Sequence, residues 1–403
     1  MTLELRKLHH RRRLIGATAA VAAAVAAGLA LSGAAGASPT TSPVLRTLTY
    51  TATGLGGSLY RPVGVSASGG TVYVSNSGVN VVAKLANGIA TVVAGSLSAY
   101  GEHGDGGQAI NASLFHAGGI AEDASGDVFI ADSGDNVVRE VTPNGVIRRT
   151  AGTGIAGLGY AGPFGFSATL SSLDHPQYVA VNAQGDVFVA DTYNNRVVKV
   201  TPRGQVIAVA GDGRAGYSGD GRLGAFAELN EPAGLALDSQ GNLYIADSAN
   251  NVIRRVDATT GIITTAAGDY AADKANDGLG GFSGDGGPAT SARLNDPQGV
   301  AADGAGDLFI ADTFNNAIRE VTPAGTTSTV VNAAGANGAA PAPGGETSGV
   351  APTASKLNTP YDVAIDPSTG DLYIADTSNS HIAEVTGLAQ PGDAAGPTAP
   401  AAS

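Results

Sequence analysis

Residues 229–256 read LNEPAGLALDSQGNLYIADSANNVIRRV, and this stretch predicts the fold of most of the chain. It contains three short apolar runs, 235–237, 243–246 and 252–256, which are separated by clusters of Asp, Ser, Gly and Asn. Short runs bounded by turn-forming residues are typical of β-strands joined by tight turns. Because no run is long enough for a helix and glycine interrupts the pattern, we predict a three-stranded meander.

The same pattern occurs six times, and a fourth apolar run follows most copies, for example GIITTAAG at 261–268. The copies lie near 60–95, 115–152, 173–211, 229–268, 294–331 and 357–386. Repetition of one unit predicts a repeat architecture. Short antiparallel sheets arranged around a ring form a propeller. We therefore predict an all-β, six-bladed β-propeller with four-stranded antiparallel blades, spanning 44–386.

The two ends of the repeat region predict how the ring closes. The last copy has only three apolar runs before residue 386, whereas residues 44–53 read as one additional strand ahead of the first copy. Without a partner, the third strand of the last blade would leave an open sheet edge. We predict that 44–53 supplies the missing strand of the last blade.

The N-terminal segment predicts export. Residues 1–37 combine a basic start, an apolar run over 14–31 and the A-x-A sequence of Ala35, Gly36 and Ala37, which is typical of a cleaved signal peptide. Cleavage would leave no membrane span and would place the protein outside the cell or in the cell envelope. The alternative is an uncleaved membrane anchor. Residues 38–43 are predicted to be a linker, and 387–403 a disordered tail rich in Pro, Ala and Gly.

Charge and cysteine content restrict the partners. The chain has 22 basic and 35 acidic residues, a net charge of -13, and no cysteine. Disulfides and cysteine-ligated metals are therefore excluded. An acidic surface repels polyanions at long range, so we predict no nucleic-acid partner. We expect a monomer.

The repeat resembles a known family. The pattern P-x-G-φ-A-φ-D-x-x-G-x-φ-φ-φ-A-D-S/T-x-N-N-x-φ-x-x-V, nearly complete in the third to fifth copies, is similar to the NHL repeat of secreted bacterial proteins. The resemblance implies a six-bladed propeller. Some bacterial receptor kinases carry an extracellular NHL propeller as a sensor, and NHL-like amidating lyases hold zinc with three histidines after the repeat proline. That position here holds Val63, Gly118, Gln177, Ala233, Gln298 and Tyr361, which disfavours the lyase chemistry.

The position before the repeat proline is the strongest candidate site. Because the first strand of a blade is innermost in this fold, these residues should surround the mouth of the central channel. We predict a ligand-binding rim formed with their neighbours, by Arg61, His116, His175, Glu231, Asp296, Gln177, Gln298, Tyr361 and Asp362. Two imidazoles and two carboxylates, His116, His175, Glu231 and Asp296, could also bind a divalent metal. The alternative is a solvated polar rim.

The predicted function is non-enzymatic. No G-x-S-x-G elbow or phosphate-binding G-x-x-x-x-G-K occurs. Long, variable loops on a rigid scaffold favour a secreted binding or scaffold propeller that recognises a protein, peptide or glycan, with no required cofactor. The alternative is a metal-dependent lyase or hydrolase with its site at the channel mouth. Asp220 and Asp285, in two S-G-D-G loops, are interpreted as turn-stabilising, with calcium binding as the alternative.

Overall fold

The computed structural model describes residues 42–53, 58–97, 103–161, 165–332 and 350–388. The predicted signal segment 1–37, most of the linker and residues 389–403 of the predicted tail lie outside this part of the chain. The described residues form six sheets of four or five strands, each built from one copy of the repeat. The predicted six-bladed β-propeller is confirmed.

The strands follow the repeats in chain order. Two short strands, β1 (Val44–Thr47) and β2 (Thr51–Thr53), precede the first blade. Blade one contains β3 (Pro62–Ser68), β4 (Thr71–Asn76), β5 (Val81–Ala86) and β6 (Ile89–Ala94). Blade two contains β7 (Ala117–Glu122), β8 (Val128–Asp132), β9 (Val137–Val141) and β10 (Ile147–Ala151). Blade three contains β11 (Phe166–Ser167), β12 (Pro176–Val181), β13 (Val187–Asp191), β14 (Arg196–Val200) and β15 (Gln205–Ala210). Blade four contains β16 (Arg222–Leu223), β17 (Pro232–Leu237), β18 (Leu243–Asp247), β19 (Val252–Val256) and β20 (Ile262–Ala267). Blade five contains β21 (Pro297–Ala302), β22 (Leu308–Asp312), β23 (Ala317–Val321) and β24 (Thr327–Val331). Blade six contains β25 (Pro360–Ile365), β26 (Leu372–Asp376) and β27 (His381–Thr386).

In the described residues, helical structure is confined to turns and connectors. One α-helix, α1 (Tyr270–Lys274), lies in the connector between blades four and five. Single 3-10 turns occupy Ala109–Asn111, Ser133–Asp135, Ala168–Leu170, Thr192–Asn194, Gly224–Phe226, Ser248–Asn250, Ala289–Ser291, Thr313–Asn315, Pro352–Ala354 and Thr377–Asn379. Among the residues that the structure describes, no helix is long and apolar enough to cross a membrane.

The N-terminal strand closes the ring, as predicted. β1 pairs antiparallel with β27, with Leu45 opposite Val385, and thereby supplies the fourth strand of blade six. The prediction of one continuous strand over 44–53 is wrong, because the chain changes partner after β1. β2 instead pairs in parallel with β6, the outer strand of blade one. Each half of the segment therefore pairs with the open edge of a different blade. The alternation of side chains along 44–53 predicts a strand but does not indicate its partner.

Three blades are wider than predicted. β2, β11 and β16 each add a fifth, outermost strand to blades one, three and four. They come from the connectors, which run along the outer edge before entering the next innermost strand. The edges of these blades are therefore covered, which protects them from pairing with another chain.

The core lies between neighbouring blades. One cluster combines Phe129 and Val138 of blade two with Val179 and Val198 of blade three, all buried. Another joins Leu45 and Leu372 of blade six to Phe309 of blade five. No blade buries its apolar faces alone, so the stability of each depends on both neighbours and on closure of the ring.

Candidate functional site

A cavity lies where the innermost strands of the blades begin around the channel. Its volume is about 320 Å³, at the small end of the range typical of ligand sites. Predicted rim residues line it, and they come from blades one, two, three, five and six. They are Arg61, His116, His175, Gln177, Gln298 and Tyr361. Six of the nine predicted rim residues therefore line this cavity, and ligand binding by them stays a prediction.

The backbone at the rim is held in a conformation that non-glycine residues seldom adopt. The residues before the innermost strands have left-handed φ angles between 48° and 53°, and they are Arg61, His116, His175, Glu231, Asp296 and Thr359. In five of them the backbone N–H donates to an asparagine of the preceding blade, as in His175 to Asn136 Oδ1 at 2.9 Å. These bonds between blades fix the positions from which the rim side chains extend.

The cavity wall from blades one to three carries cationic and imidazole groups. Arg61 is exposed and forms no ion pair with any residue that the structure describes. His175 stacks on Tyr193, with ring centroids 4.7 Å apart and an interplanar angle of 11°. Burial, and then the neighbouring His116, lower the pKa of His175 below its ordinary value of 6.5, so its imidazole is neutral at pH 7. Arg61 is thus the permanent positive charge of this wall.

The acidic members of the predicted rim occupy a different place. Glu231 and Asp296 belong to blades four and five and do not line the cavity. Asp296 Oδ1 accepts a hydrogen bond from Gln298 Nε2 at 2.9 Å. Within the described ranges, no group of three or more histidine or acidic side chains is arranged to hold a metal ion. The metal set of His116, His175, Glu231 and Asp296 therefore has no preformed site and stays a prediction.

A tyrosine and an aspartate, which we call the cross-channel strut, lie on opposite sides of the channel. Tyr178 in β12 of blade three lines the cavity, and its hydroxyl donates to both carboxylate oxygens of Asp362, in β25 of blade six, at 2.9 Å. Because blades three and six face each other in a six-membered ring, this contact spans the central axis. Asp362 is 1% exposed and also accepts from the backbone N–H groups of Val65 and Val363, each at 2.8 Å.

The strut is electrostatically unusual. Burial raises the pKa of Asp362 to about 8, although the three hydrogen bonds that it accepts act in the opposite direction. Burial also raises the pKa of Tyr178 well above its ordinary value of 10, and the adjacent carboxylate adds to this shift. The hydroxyl therefore stays protonated and remains a donor at any pH near neutrality.

The other four blades have glycine at the equivalent position, and two of these glycines, Gly119 and Gly299, make room for the strut. A Cβ on Gly119 would lie 2.2 Å from the Tyr178 ring, and one on Gly299 would lie 2.6 Å from the Asp362 Cα. The sequence could have indicated this pair, because only the third and sixth copies replace the glycine of the P-x-G pattern. The prediction placed Asp362 on the rim. This is corrected, since its side chain is buried beneath the rim and engaged with the opposite blade.

Comparison with family models decides which repeat this is. The model described as "NHL repeat" matches residues 173–200 and 229–255, and the model described as "Teneurin NHL domain" matches residues 280–396. The chain is an NHL-repeat propeller.

Proteins similar to this NHL propeller match part of the chain. The chloroplastic protein SUPPRESSOR OF QUENCHING 1 of Arabidopsis thaliana is 39% identical over 90 residues, which is 22% of this chain. Teneurin-4 of Mus musculus is 31% identical over 231 residues, or 54% of this chain. The chain matches only 8% of the length of each. A solved structure described as an auxiliary nutrient binding protein from Bacteroides thetaiotaomicron has a TM-score of 0.57 at 13% identity, covering 85% of this chain and 76% of that one. That likeness concerns the fold alone.

Polar residues of the NHL pattern hold each blade of this propeller in shape and join neighbouring blades. The aspartate that ends the second strand accepts from a backbone N–H before the innermost strand, as Asp191 Oδ1 does from Asp174 at 2.7 Å. The hydroxyl residue that follows donates to the proline carbonyl of the next blade. Thr377 Oγ1 makes this bond to Pro62 at 2.6 Å and so joins blade six to blade one. These repeated polar residues are structural.

The S-G-D-G loops are also explained by structure. Asp220 pairs with the fully buried Arg254 at 2.6 Å, and Arg254 pairs in turn with Asp247 at 3.2 Å. Asp285 makes the equivalent pair with Arg319 at 2.7 Å. Because each loop carboxylate already neutralises a buried guanidinium, these loops are better explained as ion-pair partners than as calcium ligands.

Proposed function

We propose that this NHL propeller is an exported, non-enzymatic binding module whose ligand, a protein, peptide or glycan, enters the cavity at the channel mouth. The observation that carries the proposal is the cavity itself. It combines Arg61, which has no ion pair with a described residue, a partly buried imidazole at His175 and the amides of Gln177 and Gln298 on a wall fixed by hydrogen bonds between blades. Convergent polar groups in a preformed concave site are typical of ligand recognition.

Two further observations support the proposal. The rim is flanked by the exposed aromatic side chains of Tyr60, Phe115 and Tyr193, which are 56%, 36% and 46% exposed. Aromatic and arginine side chains are enriched where proteins bind other molecules. The export expectation rests on the basic and apolar pattern of residues 1–37.

Binding can be tested with the purified chain on a peptide array and a glycan array. We expect reproducible binding to one class. The Arg61→Gln, His116→Ala variant should lose that signal, whereas Arg203→Gln, in an exposed turn at the opposite end of its blade, should retain it. No signal on either array, or equal binding by the rim variant, would refute the proposal. For export, N-terminal sequencing of protein from the culture medium or envelope should begin at Ser38.

A further inference from the structure

We infer that the channel mouth binds the C-terminal carboxylate of a peptide chain. The inference rests on the proposed function and specifies the ligand of the same site. The bottom of the cavity decides between a chain end and a threaded segment. The hydroxyl of Tyr178 reaches Asp362 across the channel axis, so the ring of Tyr178 lies in the path of anything that would pass along the channel. A chain entering the cavity must therefore stop there.

The charge of the cavity wall favours a carboxylate as the terminal group of the bound chain. Arg61 lines the cavity and forms no ion pair in the described part of the chain. A guanidinium can hold a carboxylate through two parallel hydrogen bonds, which makes it the side chain best suited to a chain end. His116 and His175 line the same side, whereas Glu231 and Asp296 are absent from the lining. The cavity lining therefore offers a carboxylate one permanent cation on the side of blades one to three, and the nearby Asp296 accepts from Gln298 on the side of blade five.

The remaining lining groups match a peptide backbone. Gln177 presents an amide that can donate and accept, as a peptide unit requires. Gln298 Nε2 already donates one hydrogen to Asp296, which leaves its second amide hydrogen and its carbonyl oxygen for a ligand. The exposed Tyr60 and Phe115 lie just before the rim residues Arg61 and His116, where they could contact side chains preceding the terminal residue. The cavity of about 320 Å³ is small, so it would hold the end of a chain and leave the rest on the aromatic flank.

The charge of the whole protein favours a peptide over an acidic glycan. With a net charge of -13, the chain repels a polymer that carries a carboxylate on every unit. A neutral or basic peptide carries one carboxylate at its end and is free of this repulsion. We therefore expect ligands with an uncharged or basic sequence and a free C-terminus.

The test uses two pools of N-acetylated tetrapeptides with identical sequences, one with free C-terminal acids and one with C-terminal amides. The full chain selects binders from each pool, and the enriched peptides are resynthesised in both forms for calorimetry. We expect the acids to bind at least about tenfold more tightly than the matching amides. Arg61→Gln should reduce acid binding to the level of the amide. Arg61→Lys should recover only part of it, because an ammonium lacks the planar fork. Arg203→Gln is the matched control and should bind as the wild type does.

The outcomes separate this inference from the proposed function. Equal affinity for acid and amide, with both lost in the rim variant Arg61→Gln, His116→Ala, would overturn the carboxylate inference and leave the binding site in place. Binding on the glycan array with no enrichment from either peptide pool would do the same. Failure of every peptide and glycan probe would remove both. Thermal melts of each variant exclude unfolding as the cause of lost binding.

Discussion

The cross-channel strut predicts an energetic coupling between residues 184 positions apart in the chain. We consider Tyr178→Phe, Asp362→Ala and the double variant. Tyr178→Phe removes one of three donors from a buried carboxyl group, whereas Asp362→Ala leaves a hydroxyl inside the channel without its acceptor. Because the double variant removes both partners, it should be less destabilised than the sum of the single variants.

The magnitude should depend on pH. Burial raises the pKa of Asp362 to about 8, so the carboxyl is mainly neutral at pH 6 and mainly ionised at pH 9. A hydrogen bond between neutral groups contributes about 1 kcal/mol, and one to a charged group about 2 kcal/mol. The pKa of Tyr178 lies well above 10, so the donor is protonated at both pH values. We therefore expect a coupling of about 1 kcal/mol at pH 6 that roughly doubles at pH 9.

Guanidinium unfolding of the four proteins at each pH measures this coupling, with circular dichroism at two wavelengths to check that the transition has two states. A coupling below about 0.5 kcal/mol at both pH values lies within the additivity of independent sites. That result would refute the contact across the channel. It would also remove the closed bottom of the cavity, on which the inference of a bound peptide C-terminus depends.

Three further predictions concern the ring and its charges. Leu45→Ala should cost about 2–5 kcal/mol, because the buried side chain of β1 fills the core at the closing blade. With an unfolding entropy of roughly 0.7 kcal/mol per kelvin for about 340 residues, the melting temperature should fall by about 3–7 °C. The matched control Leu170→Ala, at 67% exposure, should melt within about 1 °C of the wild type, and an equal fall in both would contradict the closure role. Thr377→Val should cost about 1–3 kcal/mol in denaturant unfolding, because the Pro62 carbonyl loses its donor from the last blade. The exposed Thr259→Val should be neutral, and neutrality of Thr377→Val as well would exclude the bond as a ring closure. Burial raises the pKa of several carboxyl groups, among them Asp247, Asp307 and Asp312 to about 6, Asp376 to about 7 and Asp362 to about 8. A pKa that folding raises gives stability below the unfolded value, and this stability is lost as the pH rises through the folded value. The melting temperature should therefore rise from pH 8.5 to pH 5.5 in scanning fluorimetry at constant ionic strength, and a flat or falling trend would contradict the shifts.

Much of this fold follows from local information in the sequence. The turn residues and the apolar runs of residues 229–256 lie within one unit, so the strands, their number and the repetition could be read without knowing any contact. The incomplete sixth copy and the extra strand before the first also implied a closed ring. The position before the repeat proline located the rim, because every copy places it at the start of the innermost strand.

Tertiary structure decided what lies between the copies. The partner change within 44–53 depends on which blade edges are open once the ring has formed. The pairing of Asp220 with Arg254 depends on how a connector folds back over its blade. The cross-channel strut required two copies on opposite sides of the ring to face each other. A repeat pattern describes each unit and its neighbours, whereas contact across the axis exists only when six units close on one another, and this contact makes the channel mouth a cavity with a bottom.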